Sequence, residues 1–374
     1  MIEVVSIKNE KTAATRPVVH MWSAKYDHVD GQALVTTRVA ESCKDANFSA
    51  ITYRAGGWSS LISSLGGYIK FWALVINTRP DVIYLVCSRS FLGFVRDIPI
   101  LILAFSGYRV VAHAHGSDLK DLFRKKLIGP VARFLYKKCE IILPSTHLVS
   151  EVKRVGVSKV HVCENFHNTT VSRHFDEAKG TLHVLWNSNV IASKGVREVV
   201  QACELARGQG VDLHLTILGK VIGDHEASEE EMARWLSSIQ ESGWISVLGS
   251  VSRSKAQDFL TSSDVVALPS RYKSECQPLA LIDAMSAALE IIIVDTPALR
   301  STVGDYPAMV SGAAPSSICS ALLKILEDRC MRQSLLQEAA QRSKVRFSPE
   351  RFDSEIDAIF CDRSIDKNYS EGVE

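Results

Sequence analysis

Short, unbroken apolar runs recur along the chain, separated by stretches in which apolar residues return every three or four positions. The unbroken runs in the first half are Val18–Trp22, Phe48–Tyr53, Val82–Cys87, Arg109–His113, Ile141–Pro144 and Val160–Cys163. After a polar interval they resume at His183–Trp186, Leu213–Leu218, Ile245–Leu248, Val265–Leu268 and Ile291–Val294. Runs of this length without polar alternation suit strands buried on both faces. The intervening segments, such as Gln32–Cys43, Ile98–Phe105 and Leu127–Tyr136, carry a helical period. Strands alternating with helices predict an α/β chain of parallel sheets with crossover helices, laid down in two rounds. No residue-level repeat accompanies the second round. Thr169–Gly180 is the expected linker, Ile318–Leu326, Met331–Val345 and Pro349–Phe360 are expected closing helices, and residues after Asp362 read as a polar tail. The expected divisions are 1–175, 176–346, a last helix over 347–362 and a tail over 363–374.

Composition narrows the class. A chain of 374 residues with 46% hydrophobic and 23% charged residues is large enough for two globular cores. A net charge of +1 excludes a protein whose main task is to coat nucleic acid, which shows as a strong basic excess. Nine cysteines without a C-x-x-C pair, behind no secretory signal, predict a reducing cytosol and no zinc site. The most apolar window, Ile98–Phe105, is too short to cross a bilayer, and Arg96-Asp97 blocks its extension, so a soluble or membrane-peripheral protein is expected.

The densest chemistry lies between Leu268 and Asp295. A strand-length apolar run ends at Leu268, a polar turn follows, and Pro278 stands where a helix begins near Leu279. The first N–H groups of such a helix lack helical partners, and with the helix dipole they form a site for a diphosphate. Glu275 falls just outside that helix and Asp283 about one turn inside it, so both carboxylates can accept from one hydroxyl-rich ligand. Cys276, Gln277, Pro278 and Leu279, the turn into the helix, complete this ligand-binding stretch. A second segment, Leu185 to Gly195, reads as strand, loop and helix start, with Lys194 able to neutralise a diphosphate and Gly195 permitting close backbone approach.

These segments resemble the motifs of retaining GT-B glycosyltransferases, in particular glycosyltransferase family 4. Glu275 and Asp283 match its E-x7-E signature, with Asp in place of the second Glu, and the A-x-G-x-P that follows is replaced by Ala287-Ala288-Leu289-Glu290. The resemblance implies that Glu275 meets donor-sugar hydroxyls and Asp283 the ribose. It implies that Lys194, with Ser188-Asn189 standing where the family has Gly-Arg, binds the donor phosphates, Asn189 adding only a neutral hydrogen bond. Gly219 and Gly249 match turns that pass close to the base. In the first half, Val110 to Asp118 reads as a strand ending in His113-Ala114-His115-Gly116, where open α/β sheets bind ligands. Two histidines with no third ligand do not make a metal site. The resemblance assigns His115 a place by the donor sugar and acceptor, and His113 a structural role. It also matches Ser88 to Asp97 with a family stretch, Asp30-Gly31-Gln32 with an acceptor-side glycine loop that makes Gly31 the acceptor-binding residue, and Glu164-Asn165 with a structural turn.

The resemblance implies two Rossmann-like domains facing a central cleft, an N-terminal acceptor domain and a C-terminal donor domain, and a last helix crossing back to the first. The catalytic residues would be Glu275 and His115, the donor a nucleotide-diphosphate-sugar, and the acceptor a glycan or polyprenyl-diphosphate-linked glycan, as in bacterial surface polysaccharide synthesis. No D-x-D occurs, so no metal or other cofactor is expected. A basic amphipathic stretch runs from Arg124 to Lys138, broken near Gly129-Pro130. It either lies on an anionic membrane, as a helix here often does in the family, or packs as an ordinary helix. The expected location is cytoplasmic, peripheral on the inner face of the cell membrane. The alternatives are a non-hydrolysing nucleotide-sugar epimerase and a catalytically silent nucleotide-sugar-binding protein. A dehydrogenase is disfavoured because no G-x-G-x-x-G follows a strand.

Overall fold

The computed structural model describes residues 4–7, 17–25, 31–43, 47–53, 57–88, 90–157, 159–169 and 180–362. Asp30, Arg89, nearly all of the polar linker and the tail beyond Asp362 lie outside them. The chain divides into two compact units, one comprising Met1–Glu164 and Glu350–Glu374, the other Asn165–Pro349.

Unit 1 contains β1 (Val4–Ile7), β2 (Val18–Ala24), α1 (Gly31–Ser42), β3 (Asn47–Tyr53), α2 (Gly57–Thr78), β4 (Val82–Val86) and α3 (Phe91–Leu101). It continues through β5 (Val110–His113), α4 (Asp118–Arg124), α5 (Gly129–Tyr136), β6 (Glu140–Leu143), α6 (Val149–Arg154) and β7 (Lys159–Val162). The sheet order is β1-β3-β2-β4-β5-β6-β7. Its strands pair in parallel except β1, which runs antiparallel to β3. This edge departs from the expected all-parallel sheet; an edge strand needs no crossover helix to reach its single neighbour.

Unit 2 contains β8 (Leu182–Asn187), α7 (Val196–Gly208), β9 (Leu213–Leu218), α8 (Glu229–Ile239), β10 (Ile245–Gly249), α9 (Arg253–Ser262) and β11 (Val265–Leu268). It is completed by α10 (Leu279–Ser286), β12 (Glu290–Val294), α11 (Pro297–Val303), β13 (Met309–Ser311), α12 (Pro315–Glu327) and α13 (Arg329–Arg346). Its sheet is wholly parallel, in the order β10-β9-β8-β11-β12-β13. β4, β5, β11 and β12 are buried at every position, which is why their sequences show no polar alternation.

Two expected helices are placed differently. The Ile98–Phe105 pattern belongs to α3, which starts at Phe91 because the Ser90 hydroxyl accepts from Gly93 N at 3.1 Å, and to a 3-10 turn over Ile102–Ser106. The Arg124–Lys138 stretch is not one helix: Arg124 ends α4, residues 125–128 form a turn, and α5 follows with Pro130 in its first turn and Arg133 bonded back to the Phe123 carbonyl.

The final helix, α14 (Pro349–Phe360), is tied to unit 1 by side chains. Arg38 donates to Asp353 at 2.8 Å, and Arg109, paired with Glu140 at 2.6 and 2.8 Å, donates to the carbonyls of Ile359 at 2.6 Å and Phe360 at 2.8 Å. Those carbonyls lie at a helix end, where Asp362 N reaches back to the Ile359 carbonyl at 3.2 Å and the cation adds to the bonding of both.

Between α10 and β12 the chain departs from the family pattern and adapts to it. Ala288 takes φ +59°, a left-handed conformation that glycine adopts without strain. Glu290 makes a two-bond pair with Arg332 of α13, at 2.8 and 2.9 Å, and Arg332 also reaches the Pro307 carbonyl at 2.6 Å.

Candidate functional site

Strand order locates the site in unit 2. From β8 the chain moves outward to β9 and β10, then returns to the other side of β8 as β11. Loops leaving β8 and β11 diverge there, at the carboxyl ends of the strands, where open α/β sheets bind ligands. The loop after β8 carries Ser188, Asn189 and Lys194, and the loop after β11 carries Ser270, Tyr272 and Glu275.

The two loops are pressed together by their backbones. Arg271 N donates to the Ser193 carbonyl at 2.8 Å, and Asp224 accepts from Ser193 N at 3.1 Å. Gly195 has φ +89°, and a Cβ there would stand 2.8 Å from the Pro269 carbonyl oxygen, so only glycine fits between the loops. Gly219, at φ +124°, is required in the same way by the Ser188 carbonyl, 2.1 Å from where its Cβ would lie. Gly219 thus seats the Ser188-Asn189 turn.

This packing brings together Lys194 and Glu275, residues from the two separate motifs. Lys194 Nζ lies 3.2 Å from Glu275 Oε2, donates to Ser188 Oγ at 2.9 Å and stands 5.6 Å from the Tyr272 ring centroid. Ser270 Oγ donates to the same Glu275 oxygen at 3.1 Å. Each of the two charged side chains is 11% exposed, so solvent reaches the pair through a narrow opening. The third Lys194 N–H and Glu275 Oε1 have no partner among the described residues. One donor and one acceptor are therefore available side by side. At the foot of α10, with Pro278 at its N-cap, the N–H groups of Leu279 and Ala280 have no partner among the described residues either.

The other expected donor residues are placed as follows. Asn189 is half-buried on the β8 turn with no side-chain partner among the described residues. Cys276 is buried. Gln277 is buried and turned toward the start of the unit, its Oε1 accepting from Asn165 N at 2.6 Å and its carbonyl from Asn165 Nδ2 at 3.1 Å. Asp283 Oδ1 accepts from Asn168 N at 2.7 Å and from the Thr169 hydroxyl at 3.4 Å. Burial pushes the Asp283 carboxyl up to about 6, against the opposing pull of the Asn168 N–H, the Arg253 charge and Thr169. Asp283 thus braces, from within α10, the segment leading into the unit.

In unit 1, His115 follows β5, half-buried, its ring centroid 4.3 Å from that of His113. His113 is fully buried and shares a 2.7 Å hydrogen bond with the Tyr84 hydroxyl through Nδ1. Burial, reinforced by the neighbouring His115, holds His113 well below the usual histidine range, in keeping with a structural group. Gly31 is exposed at the first position of α1. Arg96 and Asp97 lie buried on α3, with Asp97 accepting from Ser88 N at 2.9 Å and Arg96 donating to Ser88 Oγ at 2.7 Å. Ser188 was named from sequence only as a departure from the family's Gly-Arg, and Ser270, Tyr272 and Asp224 carry no sequence signal of their own until the loops are brought together.

The α5 side of unit 1 is apolar and basic together. Leu127, Val131 and Phe134 are exposed, Phe105 stacks on Phe134 with centroids 4.9 Å apart, and Arg124, Lys125, Lys126, Lys137 and Lys138 are exposed around them. No helix among the described residues is long and apolar enough to cross a membrane.

Comparison with known proteins agrees with this geometry. Residues 172–342, which include Lys194 and Glu275, match the family model of glycosyl transferases group 1. No curated protein matches the chain by sequence. Among solved structures, sucrose-phosphate synthase from Thermosynechococcus elongatus is similar with a TM-score of 0.71 at 14% identity, covering 91% of this chain and 98% of that one. HepE of Anabaena in complex with UDP-glucose is similar with a TM-score of 0.71 at 13% identity, over 92% of this chain and 99% of that one. The lipopolysaccharide outer core galactosyltransferase WaaB in its apo form gives 0.62 at 13% identity, over 92% and 99%. The neighbours show that the fold is GT-B, and the family match over residues 172–342 supports a glycosyltransferase.

Proposed function

We propose that this protein is a retaining glycosyltransferase of the family 4 type, moving a hexose from a nucleoside-diphosphate-sugar to a glycan or lipid-linked glycan acceptor. The observation that carries the reading is the Lys194–Glu275 cluster, set at the foot of α10 and offering one free donor and one free acceptor among the described residues. The free Lys194 N–H and the Leu279 and Ala280 N–H groups suit the diphosphate, helped by the α10 dipole. Glu275 Oε1 suits a hydroxyl of the donor sugar, and Asp283 the ribose. Charge building on the leaving diphosphate meets donors already in place, which is how such a site lowers a barrier. In this reading His115 and Gly31 serve the sugar and acceptor from unit 1. HepE, with UDP-glucose, is a precedent for this donor class on this fold.

The absence of a D-x-D sequence supports a reaction that needs no added metal. The test is transfer from a panel of UDP-, GDP-, ADP- and dTDP-sugars, with the anomeric configuration of the product determined and EDTA present in a parallel arm. Retention and survival in EDTA are expected, whereas complete loss restored by metal would mean that the phosphate site is misread. A second reading, a nucleotide-sugar-binding protein without turnover, is favoured by one observation: Asp283 is already engaged by Asn168 and Thr169. Slow hydrolysis of the bound donor would exclude it.

The exposed basic and apolar groups of α5 support peripheral attachment to an anionic membrane on the cytoplasmic side, and with WaaB as neighbour, a place in surface polysaccharide synthesis. Each lysine or arginine near such a surface adds about 1 kcal/mol, screened by salt. The protein should float with anionic vesicles at low salt, and replacing Lys125, Lys126, Lys137 and Lys138 by Glu should abolish flotation.

A further inference from the structure

We infer that Glu275 and the spent nucleoside diphosphate compete for Lys194, so that the carboxylate which holds the donor sugar also expels the product. This rests on the donor reading above and deepens it. Among the described residues Lys194 is the one cation paired with Glu275; Arg271 of the same loop is engaged by Glu198 at 2.8 Å and by Glu226 at 3.5 Å, and Asn189 is neutral. With Lys194 Nζ 3.2 Å from Glu275 Oε2, the pair cancels its own charge and leaves no excess positive charge for an anion. Both side chains are 11% exposed, so water screens this balance weakly.

An intact donor and a free nucleoside diphosphate meet this arrangement differently. The donor brings sugar hydroxyls that donate to Glu275 Oε1, the oxygen left open among the described residues. The product brings none, and its terminal phosphate carries one more negative charge toward the same carboxylate. Glu275 thus attracts the substrate and repels the product, with Lys194 passing to the phosphates during transfer and back to Glu275 afterwards. A site with a second cation beside Lys194 would hold its product more firmly.

The test is calorimetric binding of UDP, GDP, ADP, CDP and dTDP to wild type, Glu275→Gln and Glu198→Gln, all checked for an unchanged melting profile. Glutamine keeps the shape and hydrogen-bonding reach of Glu275 and removes its charge. Glu275→Gln should bind the preferred diphosphate at least tenfold tighter than wild type, while its intact sugar nucleotide binds no tighter. Glu198→Gln, which removes a charge from the neighbouring Arg271 pair, should bind like wild type. Equal or weaker binding by Glu275→Gln overturns the inference, as does equal tightening by Glu198→Gln, which would reveal a general charge effect. If wild type binds none of the five diphosphates, the donor reading itself falls, and the inference with it.

Discussion

Each unit of this protein carries a buried acid–base pair beyond the carboxyl end of a central strand, and the two pairs are built on different plans. In unit 1, Arg96 and Asp97 are consecutive residues of α3, 3.9 Å apart, with side chains 8% and 0% exposed. Ser88 serves both partners, and the Arg96 guanidinium sits 3.7 Å above the Tyr53 ring. In unit 2, Lys194 and Glu275 come from separate loops and meet only because Gly195 lets those loops close. Each keeps one valence open among the described residues. Asp97 Oδ1 also makes no hydrogen bond, but it is sealed from solvent on a single helix, whereas the pair assembled across two loops is 11% exposed at both side chains. The contrast teaches that neither acid–base proximity nor unspent hydrogen-bonding capacity alone marks a site; open valences that a ligand can reach do.

The sharpest way to break this contrast is Glu275→Ala. If Oε1 holds the sugar in the transition state, activity should fall by two or more orders of magnitude, about 3 kcal/mol, with the fold intact. Near-wild-type turnover by the folded variant would sink the assignment. The corresponding change in unit 1 should touch stability instead. Burial pushes the Asp97 carboxyl up to about 7, beyond what Arg96 and Ser88 pull back. Ionising Asp97 therefore weighs against the fold: the penalty is absent below its ordinary range near 4, grows as pH rises and is complete above about 7. Asp97→Asn should fare better relative to wild type at pH 8 than at pH 4, read by denaturant unfolding. A uniform loss at both pH values would mean that the charge itself supports α3.

Asp283 stands between the two plans, and its raised pKa offers a smaller test. Its ionised form, dominant above about pH 6, is the better acceptor for ribose hydroxyls. Nucleoside diphosphate affinity should therefore rise between pH 5 and 7 by several-fold more in wild type than in Asp283→Asn. Identical pH profiles would confine Asp283 to bracing Asn168 and Thr169. The smallest effect is expected at Ala288, where relief of the left-handed strain by Ala288→Gly should add about 1 kcal/mol to stability and leave turnover unchanged. A change in turnover would show that this departure from the family pattern reaches the working pair.

The strands were legible in sequence because parallel strands covered on both faces must be apolar throughout, as β4, β11 and β12 are. β1 and β13, of four and three residues at sheet edges, were too short to stand out. α2 was missed because its sequence is apolar nearly all round, with Gly66-Gly67 inside and Lys70 as its only charge. α8 did carry a signal, a capping box in which Ser228 and Glu231 satisfy each other's N–H groups. Lys194, Glu275 and the start of α10 were each named from local pattern. Their pairing was not, because it depends on strand order, which places β8 beside β11 across the β9 and β10 excursion.

The ties that hold α14 also set an order of events during synthesis. Asn165–Pro349 is contiguous and has all its strands before α14 leaves the ribosome, whereas the first unit waits for Arg38 to meet Asp353 and for Arg109 to seal the carbonyls of Ile359 and Phe360. Nascent chains stalled before Pro349 should therefore present a protease-resistant second unit behind a still-cleavable first one. The half that begins emerging first is finished last, so a frameshift or stop codon late in the message would spare the second unit and leave the first unfinished.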